Sequence, residues 1–188
     1  MGIERNPKVT TGSDVNSDVN SDLDFDVVVV GAGFAGVYMV HKMRELGRSV
    51  RCLEAGDDVG GVWYWNRYPG ARCDVESMEY SYAFSPELEQ EWEWTERYAP
   101  QAEILAYIRH VAERFDLRKD MQFGVRVVSA HFIEASPGAA GAVGESSEPV
   151  PHWRVTTDAG ETLTAAFCVM ATGCLSSANT PDFAGLDS

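Results

Sequence analysis

The chain has 188 residues, 45% of them hydrophobic, which is enough for one sizeable domain and too few for two full α/β domains. Its 29 acidic against 15 basic residues give a formal net charge of −14, a surface that repels nucleic acid phosphates and anionic lipid. The four cysteines form no C-x-x-C pair, no histidine lies at zinc-finger spacing, and no apolar run reaches the roughly 18 residues of a membrane span, so neither a metal centre, a membrane nor a nucleic acid partner is expected.

Residues 1–23 read as a disordered acidic tail, in which Ser13–Asp14–Val15–Asn16 recurs as Ser17–Asp18–Val19–Asn20. No secretory signal is visible there, and with the unpaired cysteines this points to a reducing, cytoplasmic setting. An ordered domain is predicted over 24–188. Asp26–Val30 is a β-branched run without alternation, as suits a strand buried on both faces of a parallel sheet. Phe34–Leu46 reads as a helix closed by Gly47, and Ser49–Glu54 as a second strand. Residues 55–75, rich in Gly, Trp, Tyr, Arg and Pro, read as a long ordered loop.

Gln101–Leu117 is the clearest helix, with Ile104, Ile108, Val111 and Phe115 on one stripe and Pro100 at its first turn. From Phe123 the pattern alternates, with Val125, Val127 and Ser129 leading to His131–Glu134. A linker, roughly 136–149, precedes Trp153, Val155 and Thr157, the Asp158–Ala159–Gly160 turn, and Leu163, Ala165 and Phe167. That is a small antiparallel meander. Cys168–Ala171 then reads as a buried strand before Thr172–Gly173. The fold class is therefore α/β, Rossmann-like, with a parallel sheet and a small antiparallel meander.

Gly31-Ala32-Gly33-Phe34-Ala35-Gly36 matches G-x-G-x-x-G between a predicted strand and a predicted helix, the context that the pattern requires. Gly31 permits the tight turn, Gly33 lets a pyrophosphate approach the backbone, and Gly36 lets the helix pack on the strand. The helix N-terminus adds N–H groups and a positive dipole end. Glu54 ends the second strand 18 residues after Gly36, where a carboxylate can accept both ribose hydroxyls and repel a 2′-phosphate. FAD or NAD is thus favoured over NADP at this site.

Gly60-Gly61-Val62-Trp63-Tyr64-Trp65-Asn66-Arg67-Tyr68-Pro69-Gly70-Ala71-Arg72-Cys73-Asp74 resembles the Baeyer–Villiger monooxygenase signature [A/G]-G-x-W-x-x-x-x-[F/Y]-P-[G/M]-x-x-x-D at every fixed position. Ala171-Thr172-Gly173 resembles the A-T-G segment of the same flavin domains. The resemblance covers about residues 25–187, and Ser85–Trp92 with Glu103–Tyr107 look most like the branch acting on large-ring ketones and steroids.

The resemblance implies an FAD-binding domain of an enzyme that uses NADPH and O₂ to convert ketones into esters or lactones through a C4a-peroxyflavin. It implies that Gly31, Gly33, Phe34, Ala35 and Gly36 line the FAD pyrophosphate and that Glu54 holds the ribose. Gly61, Val62, Trp63, Tyr64 and Trp65 would run along the flavin side, with Arg72, Cys73 and Tyr80 also near the cofactor and Val127 beside the adenine. Asp74 would be the catalytic position, orienting an arginine supplied from later in such enzymes. The NADPH domain of the family begins beyond Ser188, so a truncated, inactive chain with an exposed apolar interface is expected. Two other readings are a nitrogen- or sulfur-oxidising flavin monooxygenase and a non-catalytic flavin-binding remnant.

Overall fold

A computed structural model describes residues 23–134, 150–176 and 180–185. The expectations for the tail up to residue 22 and for the 136–149 linker fall outside these residues. Ten elements follow in chain order: β1 (Phe25–Val30), α1 (Phe34–Glu45), β2 (Val50–Leu53), α2 (Val62–Trp65), α3 (Pro86–Glu91), α4 (Gln101–Arg114), β3 (Met121–Gln122), β4 (Val127–Ile133), β5 (His152–Thr157) and β6 (Thr162–Met170). Single 3₁₀ turns occupy Ser77–Tyr80 and Arg118–Asp120.

The strands form one mixed sheet in the order β3-β2-β1-β6-β5-β4. β1 pairs in parallel with β2 (Val29↔Cys52) and with β6 (Val28↔Cys168), and β2 pairs in parallel with β3. β4, β5 and β6 are antiparallel neighbours. The valine run of β1 does face two cores. Val27 and Val29 pack with Val37, Val40, Ile104, Ile108 and Val111 of the helical layer. Val28 and Val30 pack with Leu53, Val155, Leu163 and Ala165 on the opposite face.

α1 ends as anticipated at Gly47, whose φ is 68°. Its N–H donates to the Arg44 carbonyl at 2.9 Å and that of Arg48 to the Met43 carbonyl at 2.9 Å, the paired bonds of a Schellman motif. α4 stops at Arg114, earlier than the stripe suggested, and Asp116 then takes a left-handed conformation with φ 50°.

The structure revises the sequence reading in three places. The 55–75 loop contains the single-turn helix α2. The meander and the separate buried strand are one nine-residue strand, β6, which pairs with β5 on one side and β1 on the other. That strand is not buried throughout: Phe167 and Met170 are 63% and 59% exposed and Cys168 is partly exposed, with Phe167 paired to Val27 of the helix-facing side and Cys168 and Met170 to Val28 and Val30 of the other, so neither face fully covers this stretch. Among the described residues no helix is long and apolar enough to cross a membrane, and no cluster of three metal-ligating side chains occurs.

Candidate functional site

The β1–α1 turn is built by backbone contact. The Gly31 N–H donates to the Leu53 carbonyl at 2.8 Å, and its φ of 101° belongs to glycine. A Cβ at Gly31 would lie 2.6 Å from the Ala171 carbonyl oxygen, and one at Gly36 would lie 1.8 Å from the Gly31 carbonyl oxygen. Gly36 therefore holds α1 against the turn rather than facing open space. Gly33 caps α1 without a side chain, and the first turn carries no acidic residue. The N–H groups that open α1 thus have neither an intrahelical partner nor a capping side chain, and the helix dipole makes that end attractive to an anion.

The tryptophan-rich loop docks directly on this turn. The Gly60 N–H donates to the Ala32 carbonyl at 2.9 Å. A Cβ at Gly61, whose φ is 54°, would stand 2.8 Å from the Gly33 Cα. The two backbones meet glycine to glycine, and the contact requires Gly61: a Cβ at Gly33 would stand an ordinary 3.4 Å from the Gly61 Cα. Farther along, Asp58 accepts from Arg109 and from Arg118, each at 2.7 Å. Burial raises the Asp58 carboxyl, but the Arg118 bond, the Val59 N–H and Arg109 outweigh it and hold it below the ordinary carboxylate value.

Glu54 is 5% exposed. One carboxylate oxygen accepts the Ala32 N–H at 2.6 Å and the other accepts the Gly56 N–H at 2.7 Å. The backbone of Glu54 is pinned as well, donating to the Gln122 carbonyl and accepting from the Val125 N–H, both at 2.9 Å. A carboxylate offers about four lone-pair directions. Two are used to fix the acid, which leaves acceptor capacity toward the groove that Glu54 lines.

That groove has a volume of about 280 Å³, and Gly31, Gly33, Glu54, Gly61, Trp65 and Val127 all line it. A second cavity of about 420 Å³ continues from it across Gly33 and Gly61 and is lined by Phe34, Ala35, Val62, Trp63 and Tyr80. Burial first, and then the nearby Cys73 and Asp74, push the Tyr80 phenol above its ordinary value. The two cavities together make one elongated trough: bare backbone at its centre, a fixed carboxylate at one end and aromatic rings at the other. This shape suits an extended dinucleotide whose adenosine ribose carries no 2′-phosphate. A larger groove of about 810 Å³ lies beside Trp92 and Trp94, but neither the glycine turn nor the start of α1 faces it.

Five of the anticipated site residues line neither cavity. Gly36 is used in packing, as above. Tyr64 accepts the Asp57 N–H through its hydroxyl at 3.3 Å and lies under the Arg67 guanidinium, 4.6 Å from the ring centre. Cys73 is buried in the main core. Arg72 and Asp74 are exposed, and Arg72 is engaged with Glu96 at 2.5 Å and with the Tyr98 carbonyl. Conversely, Ala55, Val125, Arg126, Thr172 and Ser176 line the first cavity without having been singled out as site residues. The Ala171-Thr172-Gly173 segment carried a signal for Thr172; nothing local marked Ser176 or Arg126.

Residues 29–90 match the family model of the NAD(P)-binding Rossmann-like domain. Among curated proteins, the chain is 46% identical over 165 residues to a Baeyer-Villiger monooxygenase of Pseudooceanicola batsensis and 43% identical over 165 residues to the phenazine N-monooxygenase PhzNO1 of Lysobacter antibioticus. Each match covers 87% of this chain and 28% of the relative, so the chain spans little more than a quarter of those proteins. Among solved structures, an oxidised steroid monooxygenase bound to NADP is 58% identical, with a TM-score of 0.73, over 87% of this chain and 29% of that one.

Proposed function

We propose a function from one premise: over most of its length this chain belongs to the Baeyer–Villiger monooxygenase family, whose N-terminal FAD-binding region it spans. Its task is to hold FAD along the trough. Gly31, Gly33 and the N–H groups of Phe34 and Ala35 receive the pyrophosphate, Glu54 the ribose hydroxyls, and Val127 the adenine side. Val62, Trp63 and Tyr80 form the wall of the flavin side, with Gly61 and Trp65 between the two ends. Tyr64, Arg72 and Cys73 act indirectly, by fixing the loop that carries them. The observation that carries this reading is Glu54: a buried carboxylate clamped by two backbone amides at the lip of a glycine turn that no side chain fills.

Bound FAD supplies acceptance of hydride from NADPH and activation of O₂, the chemistry by which a ketone becomes an ester or lactone. The chain's own contribution there is positional. Asp74 is exposed and makes no hydrogen bond among the described residues, so its carboxylate is available to orient a cation next to the flavin. The aromatic wall limits water at that end. Nitrogen oxidation is the second reading, favoured by the 43% identity to a phenazine N-monooxygenase.

Two measurements test these assignments. Titration of the chain with FAD, followed by flavin fluorescence, gives saturable binding with one site, and Glu54→Ala weakens it; an unchanged affinity in Glu54→Ala contradicts the reading. Product analysis of the enzyme carrying this chain then separates the chemistries: esters or lactones from ketones support the first, N-oxides alone the second.

A further inference from the structure

We propose that Arg126 reads the adenine of the bound dinucleotide, its guanidinium lying against the purine face, so that this groove selects FAD over flavins that lack the adenosine half. The inference rests on the FAD reading above and assigns to it a residue that the motif pattern leaves out.

The placement follows from connectivity. With the pyrophosphate on the glycine turn and the ribose on Glu54, the base must continue past Glu54, away from the phosphates. The wall remaining there is Ala55, Val125, Arg126 and Val127. Val125 donates its N–H to the carbonyl of Glu54 itself at 2.9 Å, so Arg126 follows directly on the residue bonded to the acid that grips the ribose. Its backbone is fixed on both sides by the β5–β6 turn. The Arg126 N–H donates to the Asp158 carboxylate at 3.1 Å, and the Asp158 N–H donates to the Arg126 carbonyl at 2.8 Å. The register shift between Val127 and Ser129, at the start of β4, is the kind of bulge that re-aims side chains beside a site.

The chemistry of the side chain agrees. Arg126 is the basic residue among those lining the groove, in a chain with a net charge of −14. Among the described residues its guanidinium has no hydrogen-bond or ion-pair partner, despite the surplus of carboxylates. A planar, weakly hydrated guanidinium stacks on an aromatic face, and Val125 and Val127 add apolar surface to the same wall of the groove. The competing use of such an arginine is to accept a 2′-phosphate, but the buried Glu54 carboxylate disfavours that group at the ribose.

The test is titration of the purified chain and of the variants Arg126→Ala, Arg126→Gln and Arg126→Lys with FAD, ADP, FMN and adenosine 2′,5′-bisphosphate, followed by tryptophan fluorescence. Arg126→Ala and Arg126→Gln are expected to bind FAD and ADP about tenfold more weakly, with FMN unchanged and Arg126→Lys intermediate. Because the side chain is exposed, melting temperatures without ligand should match the wild type. Wild-type affinity for FAD and ADP in both Arg126→Ala and Arg126→Gln overturns the proposal. So does a loss confined to the 2′-phosphorylated ligand, or an equal loss for FMN. Failure of the wild type itself to bind FAD removes the underlying reading and this inference with it.

Discussion

The two ends of the trough are made differently. At the end proposed for the adenosine the turn and the acid are held by other parts of the chain: Gly31 by Leu53, Glu54 by Ala32 and Gly56, and Val125 by Glu54. At the end proposed for the flavin the residues nearest the anticipated chemistry are open, with Asp74 exposed and Met170 59% exposed. Substitutions of these anchored groups at the first end should therefore damage fold and binding together, whereas the exposed Arg126 should affect binding alone. Substitutions at the second should spare the fold and affect only chemistry.

The sharpest break of that contrast is at the turn. Gly36→Val is expected to displace α1 and destabilise the chain by several kcal/mol, since even a Cβ would sit 1.8 Å from a backbone oxygen. Calorimetry or a denaturant midpoint checks this, and a native-like melt would show that α1 does not depend on the glycine contact. Next is Glu54→Ala, which strands two amide donors at the buried lip of β2. Each unsatisfied group costs about 1–3 kcal/mol, and FAD binding should fall in parallel.

A smaller effect is expected at Asp58. Removing its bonds to Arg109 and Arg118 by Asp58→Ala should cost about 1 kcal/mol, because the groups are partly solvated. The pH dependence has a definite sign. The folded carboxyl is held below its unfolded value, so its contribution is present above the unfolded value and is lost as pH falls through the lower, folded one. Acid titrations of wild type and Asp58→Ala should therefore converge below about pH 4.

The smallest effect should be at Asp74. Asp74→Ala is expected to change stability by less than about 0.5 kcal/mol and to leave FAD affinity intact, while impairing turnover by the enzyme that carries this chain. A large loss of stability or of FAD binding in Asp74→Ala would erase the distinction between the two ends.

The same contrast explains what was legible in the sequence. The β1-turn-α1-β2 unit could be read almost to the residue because a valine run, three glycines and a terminal Glu54 specify local backbone conformation directly. The Schellman bonds at Gly47 and the clash distances at Gly31 and Gly36 are the physical content of that local code. The rest depends on contacts between residues far apart in the chain. Nothing in the alternation of 162–170 reveals that its second half pairs with β1, some 140 residues earlier. A single-turn helix such as Val62–Trp65 is too short to show a period, and a two-residue strand such as Met121–Gln122 is anchored only by its neighbour β2. Arg126 was hidden for a related reason: between Val125 and Val127 an alternating pattern assigns it to solvent, and only the fold brings that solvent-facing side to the lip of Glu54.

The account turns on where a dinucleotide touches the chain, and backbone amide chemical shifts report that directly. On adding FAD to isotopically labelled protein, the largest shifts should fall on Gly31 through Gly36, on Gly56 and on Arg126, with Trp92 and Trp94 unmoved. Shifts concentrated around Trp92 and Trp94, with the glycine turn silent, would contradict it.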